Sequence, residues 1–351
     1  MPLATENHLS SEIVMETADV VAKLRLLQED EEENLDRSTQ AFGAYVDYVE
    51  DDVMESESPI MDSLYLQGGN RVLKTMMNFT QAKFGVLWSI VEGDLHSVWN
   101  LGRGRKSKAS AKDAMFIALV ILKHYDMWDK HAVDFSLKLN TLEKMVYKVL
   151  TVIEPILFKK FIKPVTMTEQ REDRNTFRNY PYALYATDDK FQPAYRPSGQ
   201  FAEQKTYFSG KHKLYGYKLE CSVAYPVVAV NLSSHEADSK SDLTLFLDRK
   251  AVHMELLQKS VEELEIEDNR EGSVQHPLQW GVLVEKGYQG AEGMMPTAQP
   301  KRNPCGAELN HQDVVRNRLV SSDRVLVENF FGRVCILWKT MYVRVRLIAS
   351  P

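Results

Sequence analysis

Residues 182–232 constrain the fold more than any other stretch. They read Y-A-L-Y-A-T-D-D-K-F, then a polar loop, then Y-F-S-G-K-H-K-L-Y-G-Y-K-L-E-C-S-V-A-Y-P-V-V-A-V-N-L. The first run is aromatic and small with no helical spacing. Apolar and polar residues roughly alternate over 213–223, and 227–232 is a short apolar run after Pro226. Short runs of this kind, bounded by Gly, Pro and Ser, predict neighbouring strands. The first strand, from residue 182 to 187, is expected to stop at the acidic pair Asp188 and Asp189. A carboxylate at the end of a central strand, followed by a hairpin, is where a metal-dependent phosphoryl-transfer site could begin.

The elements downstream extend the same pattern. A helix is expected over about 241–264, with Asp242 read most simply as a carboxylate that satisfies free backbone N–H groups at the helix end. W-G-V-L-V-E-K-G-Y-Q-G (280–290) predicts a fourth strand ending in Glu285, and 294–301 a short fifth. Over 317–339, Val327, Phe331, Val334 and Leu337 share one helical face. Arg324 and Glu328 lie four apart, so they are neighbours on that helix's surface.

Upstream the periodicity changes. Residues 111–125 are apolar on most of the circumference and predict a buried helix. A short helix is expected over 130–135, and a third is expected to be capped by Asn140, with Glu143 completing a capping box. Leu142, Met145, Val146, Val149 and Leu150 form the apolar stripe of that third helix. Two helices joined by a tight turn, with Lys138, Lys144 and Lys148 outward, suit a helix-turn-helix reader of the major groove. Any three-helix bundle would show the same stripes. Just ahead lies the basic loop G-R-G-R-K-S-K, with Arg103, Arg105, Lys106 and Lys108, which could hold phosphates or enter the minor groove.

The resulting division is an acidic disordered tail over 1–60 and a helical, helix-turn-helix-like DNA-binding domain over 61–163. A connector (164–181), a sheet-based domain (182–340) and a C-terminal end (341–351) follow. Residues 1–60 hold 16 Asp and Glu against 3 Lys and Arg, so the net charge of −6 hides a mildly basic body. That asymmetry is compatible with a nucleic-acid partner. One short amphipathic helix is expected near 17–27. No run of about 18 apolar residues predicts a membrane span, and the polar N-terminus lacks the regions of a signal peptide. Cys221, Cys305 and Cys335 are far apart with no C-x-x-C pair, which argues against a zinc site and for a reducing compartment.

Taken in order, A-T-D (186–188), Y-F-S-G-K-H-K-L-Y-G-Y-K (207–218), S-D-L (241–243), E-K-G-Y-Q-G (285–290) and R-V-L-V-E-N-F-F-G-R (324–333) resemble the DDE superfamily endonuclease of Harbinger/PIF-type transposases. The resemblance implies an α/β RNase H-like catalytic domain, a mixed sheet flanked by helices. It implies Asp188, Glu285 and Glu328 as catalytic residues and ligands of two Mg²⁺ or Mn²⁺ ions. Several converging carboxylates suit such a pair of hard cations. Lys211, His212 and Lys213 would contact phosphate, Asp242 and Arg324 would support the site, and Arg324 would orient Glu328 or touch DNA. DNA is the implied partner, in the nucleus, with an accessory DNA-binding protein and a homo-oligomer left open and no membrane.

Several positions depart from the family pattern. Glu285 stands where the family carries Asp in a D-x-G-Y turn, which moves the carboxylate by roughly 1 Å. A misplacement of that order can cost about 100-fold in rate. Asp189 and Lys190 follow the first Asp where a small or hydroxylated residue is usual, and Lys190 is expected to compete for Asp188. Residues 237–240 replace a Gly-Ser, and the chain ends where the family continues. These departures predict a degenerate, C-terminally truncated copy. A catalytically inactive DNA-binding protein derived from a transposase is therefore the alternative to an active endonuclease, and an RNA-directed nuclease is a third.

Overall fold

The computed structural model describes residues 56–101, 106–303 and 307–345. The acidic tail through residue 55, Arg103, Arg105, Cys305 and residues 346–351 lie outside the described residues.

The first half is helical: α1 (Pro59–Met77), α2 (Gln81–Val98), α3 (Ala111–His124), α4 (Trp128–Asp134) and α5 (Leu139–Phe161). The sequence places 61–163 in a helical domain but marks no individual helix before residue 111 there, so the first two are additions. α1 is broken at Gly69, whose φ of 61° is open to glycine without strain. That break hides its periodicity. α3 runs through the middle, with Ala111 and every residue from Asp113 to Ile121 buried. Ser110 caps it by accepting from Asp113 N at 2.9 Å. Phe116 meets Phe84 and Phe135 edge to face, at centroid distances of 6.5 and 6.3 Å. Each such ring buried stabilises by about 1.5–3 kcal/mol. α5 begins at Leu139, so Asn140 lies inside its first turn and the expected capping box does not form; Lys138 occupies the cap with no side-chain hydrogen bond. The turn before it is closed by Ser136 at φ 52°.

The expected connector is partly structured. α6 (Met167–Glu172) carries a capping box between Thr166 and Glu169, buries Met167 in the sheet's core, and sends Gln170 Nε2 to the Leu184 carbonyl at 2.9 Å.

The second half is built on β1 (Ala183–Ala194), β2 (Tyr215–Ala224), β3 (Val228–Leu232), β4 (Glu236–Ala237), β5 (Gly281–Leu283) and β6 (Thr297–Ala298). The order is β3-β2-β1-β5-β6, with β4 on β2. β1 pairs antiparallel with β2 and parallel with β5, so the sheet is mixed. The first strand does not stop at Asp188 and Asp189; it continues to Ala194 because β2 pairs with it from Ala186 to that end. A short helix α7 (Phe201–Thr206) lies in the loop between them. The single helix expected over 241–264 is two short ones, α8 (Asp242–Asp248) and α9 (Lys250–Leu256). The last helix, α10, spans His311–Leu337.

Helices cover both faces of the sheet. Tyr185, Val282, Val284, Phe246, Leu257 and Tyr288 pack on the α8/α9 side. Ala186, Cys221, Val223, Leu283, Leu326 and Val327 pack on the α10 side. The end of α10 joins the helical half: Asn78 Nδ2 donates to the Leu337 carbonyl, Trp338 lies 6.0 Å from Phe79, and Lys339 pairs with Asp126 at 2.9 Å. Among the described residues no helix is long and apolar enough to cross a membrane.

Candidate active site

Strand alternation separates the two neighbouring acids of β1. Asp188 stands opposite Cys221, whose side chain lies in the core under α10, whereas Asp189 stands opposite Glu220. Ala186 is aligned with Leu283 on the parallel neighbour β5. Two residues further along both strands bring Asp188 and Glu285 side by side, just past the end of β5. Glu328 arrives from α10, one turn after Arg324. Asp188 and Glu328 therefore meet across Arg324, and Glu285 lies near enough for its charge to act on Asp188.

Arg324 stands among them. Its Nη1 donates to Asp188 Oδ2 at 2.8 Å and its Nη2 to Glu328 Oε1 at 2.5 Å. Asp188 Oδ1 accepts from Asp189 N at 2.8 Å. Lys190, expected as the competitor for Asp188, instead donates to the Phe191 carbonyl at 2.8 Å. Arg324 approaches from a helix docked on the acid's own face, and that gives it the contact. The Asp188 and Arg324 side chains are 14% and 10% exposed, whereas Glu328 is 52% exposed, so the site opens to solvent on the α10 side. Burial pushes the Asp188 carboxyl up to about 6; Arg324 opposes the rise and Glu285 adds to it.

What fixes α10 over β1 is Asp323, a residue the sequence reading passed over. It is buried and accepts from Asn179 N, Asn179 Nδ2 and Tyr180 N at 2.8, 2.8 and 2.9 Å. This clamp sits one residue before Arg324 and just ahead of β1. The signal in the sequence was an acid at a helix position whose other neighbours are apolar.

The opposite face carries a second polar set. Asp242 does not cap α8, since Ser241 does so by accepting from Thr244 N at 3.1 Å. Asp242 pairs at 2.5 Å with Lys218, itself 8% exposed. Asp189 accepts from Tyr288 Oη at 3.3 Å, and its other oxygen, buried, faces Asp242. Burial and then the Asp242 and Glu220 charges push Asp189 far above the usual carboxylate range. That shift favours the neutral form of Asp189, whereas the Lys218 pair holds the Asp242 carboxyl low against burial. Behind them Tyr185 Oη meets His253 Nδ1 and His253 Nε2 meets Glu220 Oε1, each at 2.9 Å, all three residues buried.

Of the expected phosphate contacts, Lys211, His212 and Lys213 are exposed at the turn before β2, and His212 stacks on Phe191 of β1 with centroids 4.3 Å apart. Lys211 lies near enough to Asp242 to stabilise its charge. Lys106, Lys108, Lys144 and Lys148 are brought together in the helical half. With Lys138 they line a cleft of about 620 Å³ between the α2–α3 loop and the start of α5. Lys148 Nζ donates to the Val98 carbonyl at 2.6 Å and lies 5.6 Å over the Trp99 ring. Arg103 and Arg105 belong to the same loop in sequence but lie outside the described residues.

A mixed sheet flanked by helices, with carboxylates beside the end of a parallel strand pair, is the architecture of an α/β nuclease-like domain. Residues 190–350 match the family model of the DDE superfamily endonuclease, a stretch that includes Glu285 and Glu328 and begins two residues after Asp188. No curated protein and no solved structure matches the chain. The family match supports a transposase-like nuclease function for the sheet half.

The chemistry of the donor set suits a hard divalent cation: three carboxylates from three elements, one of them raised chiefly by burial. The spacing does not yet fit. Among the described residues no three of His, Cys, Asp and Glu converge to hold an ion, and the Arg324 guanidinium bridges two of the three acids.

Proposed function

We propose that the chain is a transposase-derived endonuclease that cleaves and rejoins DNA phosphodiester bonds with divalent metal ions. The sheet half would be an RNase H-like catalytic domain. The observation that supports this reading best is the meeting of Asp188 and Glu328 across Arg324 with Glu285 close by, within a region that resembles DDE superfamily endonucleases. Asp188, Glu285 and Glu328 would hold Mg²⁺ or Mn²⁺, and when bound the ions would activate the attacking oxygen and neutralise the leaving one. Asp188 offers a buried, rigid limb and Glu328 an exposed one, so bound phosphate is reached from the α10 side. Lys211, His212 and Lys213 would hold the scissile strand's backbone beside β1. The lysine cleft of the helical half would hold flanking duplex, with α4, the Ser136 turn and α5 acting as a helix-turn-helix. Nuclear localisation belongs to the same proposal, as do an accessory DNA-binding protein and a homo-oligomer.

A second reading is favoured by Glu285 and by the Arg324 bridge. In it the acids stay paired and the chain only binds DNA. A nicking assay on supercoiled DNA with Mg²⁺ or Mn²⁺ separates the two. Nicking by the wild type, abolished in Asp188→Asn, supports the endonuclease. Nicking that appears only in Glu285→Asp supports a decayed enzyme. Silence in both, with DNA binding intact, leaves the binding protein.

A further inference from the structure

We infer that the cleft beyond β6, walled by the start of α10, is a pocket for one unpaired nucleobase of the DNA. The inference rests on the DNA-directed part of the reading above and needs no metal.

The cleft holds about 670 Å³, within the range of small-ligand pockets. Its walls are the 271–276 loop, the turn after β5, β6 with the residues that follow it, and the first turns of α10. Arg316 ties three of these walls together: its Nε donates to Glu271 Oε2 at 2.8 Å and its Nη1 to the Gln299 carbonyl at 2.7 Å. Three residues that line the cleft carry a buried polar atom with no partner among the described residues: Thr297 Oγ1, Gln299 Oε1 and His276 Nε2. Gln299 is only 6% exposed. Unpaired buried groups cost stability, and a ligand with matching donors and acceptors removes that cost.

Charge then selects the ligand. Lys301 pairs with Asp313 at 2.7 Å and Arg316 with Glu271, while Glu292 accepts from Gly290 N at 2.9 Å and from Gln299 Nε2. The cleft's charged groups are thus engaged with one another or with neutral donors. What remains is an amide, a hydroxyl and an imidazole, groups that read base edges rather than hold a polyanion. Met295 and Pro296 add apolar surface against which a flat ring can lie. At the rim, exposed Arg302 donates to the Lys286 carbonyl at 3.3 Å, where it suits the phosphate of the bound nucleotide. Ala298 of β6 stands opposite Leu283 of β5, so the rim adjoins the turn at Glu285 and a DNA strand beside the acids passes its mouth. Taking a base out of a duplex costs least where it is already unpaired. The ligand class is therefore an unpaired base.

The test is fluorescence anisotropy of the full chain at low salt with a chelator present, using three short labelled duplexes: fully paired, with one bulged adenine, and with an abasic bulge that bends alike but lacks the base. The wild type is expected to bind the adenine bulge about 10-fold more tightly than the other two. Thr297→Val and Gln299→Leu should each remove most of that preference. Thermal melts separate this from unfolding, since an apolar isostere in place of an unpaired buried hydroxyl should leave Thr297→Val melting no lower than the wild type. Gln275→Ala, at the exposed lip, should lower the preference by a smaller factor and does not touch the core. Equal binding of adenine and abasic bulges by the wild type, or a preference that survives in all three variants, overturns the base pocket and leaves the DNA-directed reading standing. Absence of binding to every duplex overturns both.

Discussion

The two halves treat a buried acid in opposite ways. In the helical half, Asp113 is fully buried in α3, and its carboxylate accepts from Met61 N at 3.0 Å and Ile60 N at 3.2 Å. It thereby satisfies free N–H groups at the start of α1, and the α1 dipole favours its charge. Burial still raises its pKa, opposed by those backbone donors. In the sheet half, Asp188 and Asp189 lie among further acids; Asp188 is held by Arg324 and the Asp189 N–H, and Asp189 by the Tyr288 hydroxyl. One acid does structural work with backbone donors of another helix. The crowded acids raise one another's proton affinity, a pattern that clusters where function uses it.

The largest expected effect tests whether the halves stand or fall together. Phe116→Ala empties the centre of the helical core and should cost about 3–5 kcal/mol. In urea denaturation a single shifted transition means one cooperative unit, through the α10 end and Asp126–Lys339; a split transition means that the comparison is between two independent bodies.

Close behind, Asp323→Ala should cost about 2–3 kcal/mol, since it strands three part-buried donors around a lost carboxylate. Unlike Phe116→Ala, it should also uncouple Arg324 from Asp188. An Asp323→Ala chain that melts like the wild type would remove the clamp from the account.

The pH dependence of stability sharpens the contrast. The Asp188 carboxyl titrates near 6 when folded and near its ordinary 3.8 when unfolded. The folded chain therefore binds that proton more tightly. The associated stability is present below about pH 4 and is lost as pH rises through 6. At about 1.4 kcal/mol per unit, the metal-free chain should lose about 3 kcal/mol from this group between pH 4 and 7. Denaturation at a series of pH values reads the slope, and Asp188→Asn should flatten it.

Smaller still, Asp189→Asn should be neutral or stabilising by about 1 kcal/mol at neutral pH, because the amide brings no charge into this buried, acid-rich place and can donate to the nearby Asp242. A clear loss of stability in a thermal melt would show that Asp189 is ionised in the fold. Last, Lys144→Ala should change stability by no more than about 0.5 kcal/mol, and Lys148→Ala by about 1 kcal/mol through its bond to the Val98 carbonyl. Each should nonetheless weaken duplex binding and reduce the salt slope by roughly 1. An unchanged slope would leave the cleft without a nucleic-acid role.

How far the sequence could be read varies along the chain. α3 was legible because it is apolar almost all round, and α10 because Arg324, Glu328 and the apolar stripe share a register. α1 was not, since Gly68 and Gly69 break its period and only packing on α3 restores a helix. The end of the first strand was misplaced at Asp188 because charge there reads as a boundary, whereas pairing with β2 carries the strand six residues further. Lys190 was the expected partner of Asp188 on grounds of sequence distance, but a lysine two positions along a strand lies on the same face and need not turn back.

The order of the acids, their separation by strand and helix patterns, and the basic stretch ahead of the helices were determined by sequence alone, because these follow from composition and local period. Which cation Asp188 meets, which lysines share a cleft, and that Asp189 turns away from its neighbour toward Asp242 were decided only by the tertiary structure. Those facts depend on register across strands and on the docking of a helix held by Asp323, and no local pattern encodes a contact between residues 136 positions apart.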